Sequence, residues 1–223
     1  MDPDADLSVT SVAEAVAGVL ARACPNGYWI VASDTGGVVA QLMLCDHSGG
    51  IRGALLLPCD LYDNFLPIAL RYLQWVAPVP GAMLLVRFVL EIRLIRSLPI
   101  AFGWLTRSGL SPELVRQTID PLKDAGIRRD LVKLLRAIEP DITRRAASLL
   151  PQTTVPVRFL WATDDRLFPV RMARKLSDAM GPMSTWTEVD ESYSFIQIDR
   201  PDAVTDGIDK MAGLGLRRNE ASQ

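Results

Sequence analysis

One histidine, three cysteines, no charge excess and no long uncharged apolar run set the first limits on this chain of 223 residues. The cysteines, Cys24, Cys45 and Cys59, are odd in number and lack paired spacing. Each sits in or beside an apolar segment, which predicts buried free thiols in a reducing compartment, hence a cytoplasmic protein. The acidic start, Met1-Asp2-Pro3-Asp4-Ala5-Asp6, is unlike a secretory signal. No stretch of about 18 uncharged apolar residues occurs, so no stable membrane span is expected. The nearest, Val76 to Leu90, is broken by Arg87 and followed by Glu91, Arg93 and Arg96. It reads as a buried or lid helix, with a membrane-surface role for its basic side as the second reading. With 24 basic against 26 acidic residues and a net charge of −2, the chain carries no electrostatic footprint for nucleic acid. What it does have is apolar content, 49%, enough for one core in one domain.

Ser11-Val12-Ala13-Glu14 has the form of a capping box, opening a helix with Val12, Val16, Val19 and Leu20 on one face. An apolar strand follows at Tyr28–Ala32, then a helix at Gly37–Leu44, a turn at Ser48-Gly49-Gly50 and a short strand at Gly53–Pro58. From Asp60 to about Leu150 only helical periods appear, broken by Pro67, Pro78, Pro80-Gly81, Pro99, Gly103, Gly109 and Pro112. Ser111-Pro112 reads as an N-cap followed by a first-turn proline. Alternation returns with a strand at Val157–Ala162, a helix at Val170–Met180, a strand at Thr185–Val189 and a last helix at Ala203–Leu214. The expected division is a core part over 1–60, a helical cap over 61–150, a second core part over 151–216 and a frayed polar tail over 217–223.

The junction Ala32-Ser33-Asp34-Thr35-Gly36-Gly37 carries the most chemistry. A strand that ends at one residue and turns at once into a glycine-led helix is the layout of a nucleophile elbow, with the tip side chain held above the carboxyl edge of a sheet. Here the tip is Asp34, a carboxylate. The competing reading is a helix N-cap, a common place for aspartate.

Four blocks in order resemble the α/β-hydrolase superfamily, in the branch of haloalkane dehalogenases and epoxide hydrolases. They are Ser33–Gln41, similar to the elbow and its helix, and Ala54–Pro67, similar to the next strand and its loop into a cap. Phe159–Pro169 is similar to the acid loop and Asp190–Pro201 to the histidine loop. The resemblance covers nearly the whole chain. It implies an α/β fold with a partial, mostly parallel sheet, a helical cap and missing N-terminal strands, as in the C-terminal two-thirds of a hydrolase. By the same resemblance Asp34 is the nucleophile, the Thr35 backbone N–H an oxyanion donor and Asp165 the acid that orients a histidine. Asp60 keeps a second reading beside that of a turn residue, because some haloalkane dehalogenases place their acid after this strand. Phe65, Trp104 and Phe168 read as core or lid contacts, or as the lining of an apolar substrate pocket. No metal or cofactor is implied.

Two departures stand out. The superfamily's histidine falls at Ser194, whose hydroxyl does not take up a proton near neutral pH. The only histidine, His47, follows the elbow helix and reads as a surface residue. In addition, only 27 residues precede the first strand, so strand 28–32 becomes an edge without charge or proline. Such an edge seeks a partner, which predicts a homodimer through it. The functional expectation is a hydrolase for a small apolar ester, epoxide or halide, impaired by the missing base. The alternative is an inactive remnant or binding module.

Overall fold

Four stretches rich in β-branched, leucine and aromatic residues pair side by side in the computed structural model, which describes the backbone of residues 2–220 and the side chains of residues 2–213. They are β1 (Tyr28–Ser33), β2 (Ile51–Cys59), β3 (Val157–Ala162) and β4 (Ser184–Val189). They lie in that order in one sheet, with each neighbouring pair parallel. Parallel neighbours need long crossovers, usually helical. Helix α2 (Asp34–Asp46) joins β1 to β2, and α9 (Val170–Met180) joins β3 to β4. Between β2 and β3 run six helices: α3 (Tyr72–Val76), α4 (Ala82–Glu91), α5 (Arg93–Arg96), α6 (Pro112–Ile119), α7 (Ala125–Arg136) and α8 (Pro140–Leu149). Helices α1 (Val9–Ala23), α10 (Ile196–Asp199) and α11 (Pro201–Glu220) complete the order.

Both faces of the sheet are covered, which is why β2 and β3 read as continuous apolar runs. Successive residues point to opposite faces. Ala54, Leu56, Val157, Phe159 and Trp161 enter the core shared with α1, α2, α8 and α9. Leu55, Leu57, Leu160 and Ala162 enter a second core closed by Ile196 and by Met211 of α11. A fully buried leucine contributes about 2–3 kcal/mol, so β2 is the main tie between the layers. Strand β1 pairs only with β2 and forms an edge, as the sequence predicts. Its Val31 is exposed.

Several local expectations are corrected. The cap of α1 is Ser8, whose hydroxyl accepts from Ser11 N–H, while the Ser11 hydroxyl donates to Asp6 at 2.6 Å. The helix buries Val9, Ala13 and Ala17 and leaves Val16 and Val19 exposed. The small side chains of Ala13 and Ala17 let α1 approach α2, so they face inward with Val9, and Val16 and Val19 do not. The 76–90 segment is not one buried helix. Pro78 and Pro80-Gly81 break it between α3 and α4, with Gly81 at φ 78°, and α4 exposes Leu85 and Phe88. The last helix starts at Pro201 and runs to Glu220, past Leu214, so the expected tail is helical in its first part. Residues 221–223 of that tail lie outside the described residues. All three cysteines are free, but only Cys59 is buried, Cys24 and Cys45 being half-buried. Among the described residues no helix is long and apolar enough to cross a membrane.

Candidate active site

Strand β1 ends at Ser33, and α2 begins at once on Asp34, whose φ is 54°. A non-glycine residue in this left-handed region costs about 1–3 kcal/mol and persists only where its surroundings enforce it. Asp34 is the first residue of the helix, and Ser33, which makes no side-chain cap bond, takes the N-cap place. One turn on, Gly37 rests against β2. A Cβ there would collide with Cys59 Cβ and lie 2.7 Å from Cys59 Sγ. This close approach lets Asp34 form a parallel bridge with Cys59, which sets Asp60 beside the elbow.

The carboxyl ends of all four strands therefore supply the site, the usual place for ligands in an open parallel sheet. Asp34 follows β1, Asp60 follows β2, Asp165 lies in the loop after β3 and Ser194 in the loop after β4. Asp165 Oδ1 accepts from Leu167 N–H at 2.9 Å, Phe168 N–H at 2.7 Å and Ser194 Oγ–H at 2.9 Å. Its Oδ2 is buried with no hydrogen-bond partner, as are both carboxylate oxygens of Asp60. Asp60 and Ser194 are fully buried.

Burial governs the electrostatics. It raises the Asp34 carboxyl above the ordinary value, against the N–H and hydroxyl of Thr35. It pushes Asp60 far above that value, with the Asp34 charge adding to the effect. Asp165 is pushed up to about 6, again first by burial, with the Phe168, Leu167 and Ser194 hydrogen bonds opposing and the Asp34 charge adding. Desolvation disfavours each charge, and each charge disfavours the next. The Cys59 thiol is raised well above its usual range by burial and by the same three carboxylates. Burial thus favours the neutral form of Asp60 most strongly, while Asp165 titrates at about 6. Groups driven apart in this way can divide acid and base roles.

The structure thus brings Asp34, Thr35, Asp60, Asp165 and Ser194 together. The Thr35 N–H is directed at Asp34 Oδ1, 2.7 Å away, so in this state it serves the carboxylate rather than an oxyanion. Phe65 and Phe168 are buried and Trp104 is half-buried in the main core, and Phe168 adjoins the site through its N–H to Asp165. His47 is the exposed C-cap residue of α2, about 20 Å along the helix from Asp34.

Three supporting residues escape a reading of the sequence. Gln41 is fully buried, and its Nε2 donates to Gly37 O at 3.1 Å and Asp60 O at 2.9 Å, tying the elbow helix to the end of β2. Asn64 Nδ2 donates to Leu167 O at 3.0 Å and links the segment after β2 to the loop after β3. Asp199 accepts from the N–H groups of Arg107, Ser108 and Tyr193 and fastens the cap to the Ser194 loop. For Gln41 the signal was available: one polar residue between Val38-Val39-Ala40 and Leu42-Met43-Leu44.

Solved structures share this fold. An α/β-hydrolase fold protein from Burkholderia ambifaria superposes with a TM-score of 0.76 at 15% identity, over 92% of this chain and 73% of that one. The chain has the α/β-hydrolase fold. A reconstructed ancestral haloalkane dehalogenase gives a TM-score of 0.71 at 18% identity, over 95% of this chain and 77% of that one. A thermophilic esterase from Thermogutta terrifontis gives 0.69 at 16%, over 95% and 74%. Against these α/β-hydrolase-fold neighbours the chain spans about three quarters of their length, with a four-stranded part of the sheet. No family model matches the sequence, and no curated protein matches it.

Proposed function

We propose that the protein is a hydrolase for a small apolar substrate carrying a carbon–halogen, epoxide or ester bond, with Asp34 as the nucleophile. The observation that carries this reading is the elbow itself. A carboxylate is held at φ 54° on the first residue of α2, at the carboxyl edge of the sheet. With an alkyl halide, Asp34 attacks the sp³ carbon, the carbon–halogen bond breaks, and halide leaves with the bonding electrons. An ester to Asp34 remains, and water must then cleave it. Ser194 stands where the resemblance places the base and donates to Asp165, so it offers no imidazole lone pair. Asp165 Oδ2, partnerless and on a carboxyl titrating at about 6, is the acceptor left for the proton of that water. General-base assistance is typically worth 10²–10⁴-fold, so ester hydrolysis becomes the slow step and the ester accumulates. Phe168, whose N–H donates to Asp165, adds an aromatic side chain at the site, in keeping with an apolar ligand.

A second reading, a binding module descended from such an enzyme, is favoured by one observation. The Thr35 N–H and the Ser194 hydroxyl are both spent on the site's own carboxylates. Halide release from alkyl halides and nitrophenol release from a nitrophenyl ester, followed for the wild type and Asp34→Asn, separate the two. The hydrolase reading expects a burst of about one product per protein. It also expects an alkyl adduct on the Asp34 peptide in the halide reaction, and loss of both signals in the variant. Equal rates in the two proteins would overturn the nucleophile assignment and favour the binding module.

A further inference from the structure

Helix α4 is built inside out. Its inward face carries Met83 and Arg87, one turn apart and both buried. The Arg87 guanidinium is held by Glu91 at 2.8 Å and by Asp120 at 3.1 Å. Its outward face carries Leu85 and Phe88, and Ile92 continues the row just past the helix end. A helix facing water would hide the apolar residues and show the arginine. The flanking elements repeat the pattern, with Trp75 of α3 82% exposed and Leu94 of α5 77% exposed. Nine of the fourteen exposed large apolar residues among the described residues fall between Ile68 and Ile100. A concentration of this kind marks an interaction surface.

Charge indicates the partner. From Ile68 to Leu110 the chain has five arginines and a single acid, Glu91, and Glu91 is engaged by Arg87. Arg93, Arg96 and Arg107 line a cleft of about 290 Å³ together with Ser97 and Ser108. Arg107 pairs with Asp164 at 3.4 Å, while Arg93 and Arg96 have no ion pair among the described residues. The cleft therefore presents the Arg93 and Arg96 guanidiniums beside an apolar face, its Ser97 and Ser108 hydroxyls being donated to Arg93 O and to Asp199. That combination matches a phospholipid headgroup next to acyl chains. A second copy of the chain is the poorer fit, because a contact of like face on like face would gather the same arginines from both copies. Among the described residues no helix can cross a bilayer, so the fitting mode is a helix lying in the interface plane.

We propose that the α3–α5 face of the cap docks on the surface of an anionic lipid bilayer, with Trp75, Leu85, Phe88 and Leu94 entering the headgroup–acyl boundary and Arg93 and Arg96 binding lipid phosphate. This does not depend on the chemistry of Asp34. The test is co-sedimentation of the purified protein with phosphatidylcholine vesicles, with and without phosphatidylglycerol, at several salt concentrations. Binding is expected to the anionic vesicles, to weaken with salt, and to fall roughly thirtyfold in Arg93→Gln/Arg96→Gln. Trp75 fluorescence is expected to shift to the blue on binding and to be quenched by brominated acyl chains, and Trp75→Phe should lose both signals. Leu85→Ser/Phe88→Ser, at exposed positions, should keep the native circular dichroism and lose sedimentation. Three results would overturn the proposal: no binding to anionic vesicles, equal binding to neutral ones, or a stable dimer that Leu85→Ser/Phe88→Ser dissociates.

Discussion

Replacing Asp165 with asparagine isolates the electrostatic load that the site places on the fold. Asparagine Oδ1 can still accept from Leu167, Phe168 and Ser194, so the acid loop keeps its anchor. What disappears is a carboxyl that titrates at about 6 when folded and at 3.8 when free of the fold. Between those values the folded chain holds a proton that the unfolded chain has released, so this group's stabilising contribution is complete below the lower value and is lost as pH rises through the upper one. The gap corresponds to about 3 kcal/mol, at roughly 1.4 kcal/mol per pH unit. Urea denaturation of both proteins at a series of pH values measures it. The stability of the wild type minus that of Asp165→Asn should fall by about 3 kcal/mol between about pH 3 and pH 8. Groups not coupled to Asp165 cancel in this difference, and the coupling to Asp34 is part of what it measures. A difference that stays flat, or that rises with pH, would refute burial as the dominant influence on Asp165.

Ser194→His places an imidazole beside Asp165 Oδ1. Since Ser194 is fully buried, the larger side chain should cost about 1–3 kcal/mol of stability, and turnover after the burst should rise about 10²-fold or more. A folded variant with unchanged turnover would show that proton acceptance is not the missing element. Gly37→Ala should lower stability by about 1–3 kcal/mol or more, read from the thermal midpoint, because the new methyl meets Cys59; a neutral effect would mean that α2 and β2 can part there. The edge strand β1, with exposed Val31, is proposed to pair with its equivalent in a second copy. Sedimentation equilibrium should then find a dimer that Val31→Lys shifts to monomer, whereas a wild-type monomer at high concentration rules the pairing out.

Strand positions were legible because each apolar run is short and bounded by glycine or proline, as with Gly53 and Pro58 around the middle of β2. The placement of Asp34, Asp165 and Ser194 at one sheet edge came from the resemblance of their blocks to an elbow, an acid loop and a histidine loop. Asp60 was not legible as a strongly perturbed acid. A carboxyl after a strand looks like a turn residue, and what perturbs it is its burial in the finished fold and the charge of Asp34, brought near by the packing of α2 on β2. The orientation of α4 escaped for a similar reason. Periodicity finds a helix with an arginine on one side, but the partner that draws Arg87 inward is Asp120, far along the chain. The start of α1 was misplaced because Ser8 and Ser11 are both chemically fit to cap it, and the choice falls to Ser8, with Ser11 held by Asp6.

The placement of the helices between β2 and β3 bears on how the chain matures. Strands β2 and β3 are neighbours in the sheet, yet β2 ends at Cys59 and β3 begins only at Val157. During synthesis at roughly 5–20 residues per second, about a hundred residues must emerge before β2 gains its second partner, a delay of roughly 5–20 s. Over that interval β1, α2 and β2 can associate locally, but Leu55 and Leu57, buried in the finished protein, have neither β3 nor α11 to cover them. Their eventual pairing closes a loop that spans all of those helices, which makes it late and entropically costly. The half-made sheet is then the species most exposed to aggregation, and the folding rate of those helices sets how long that exposure lasts.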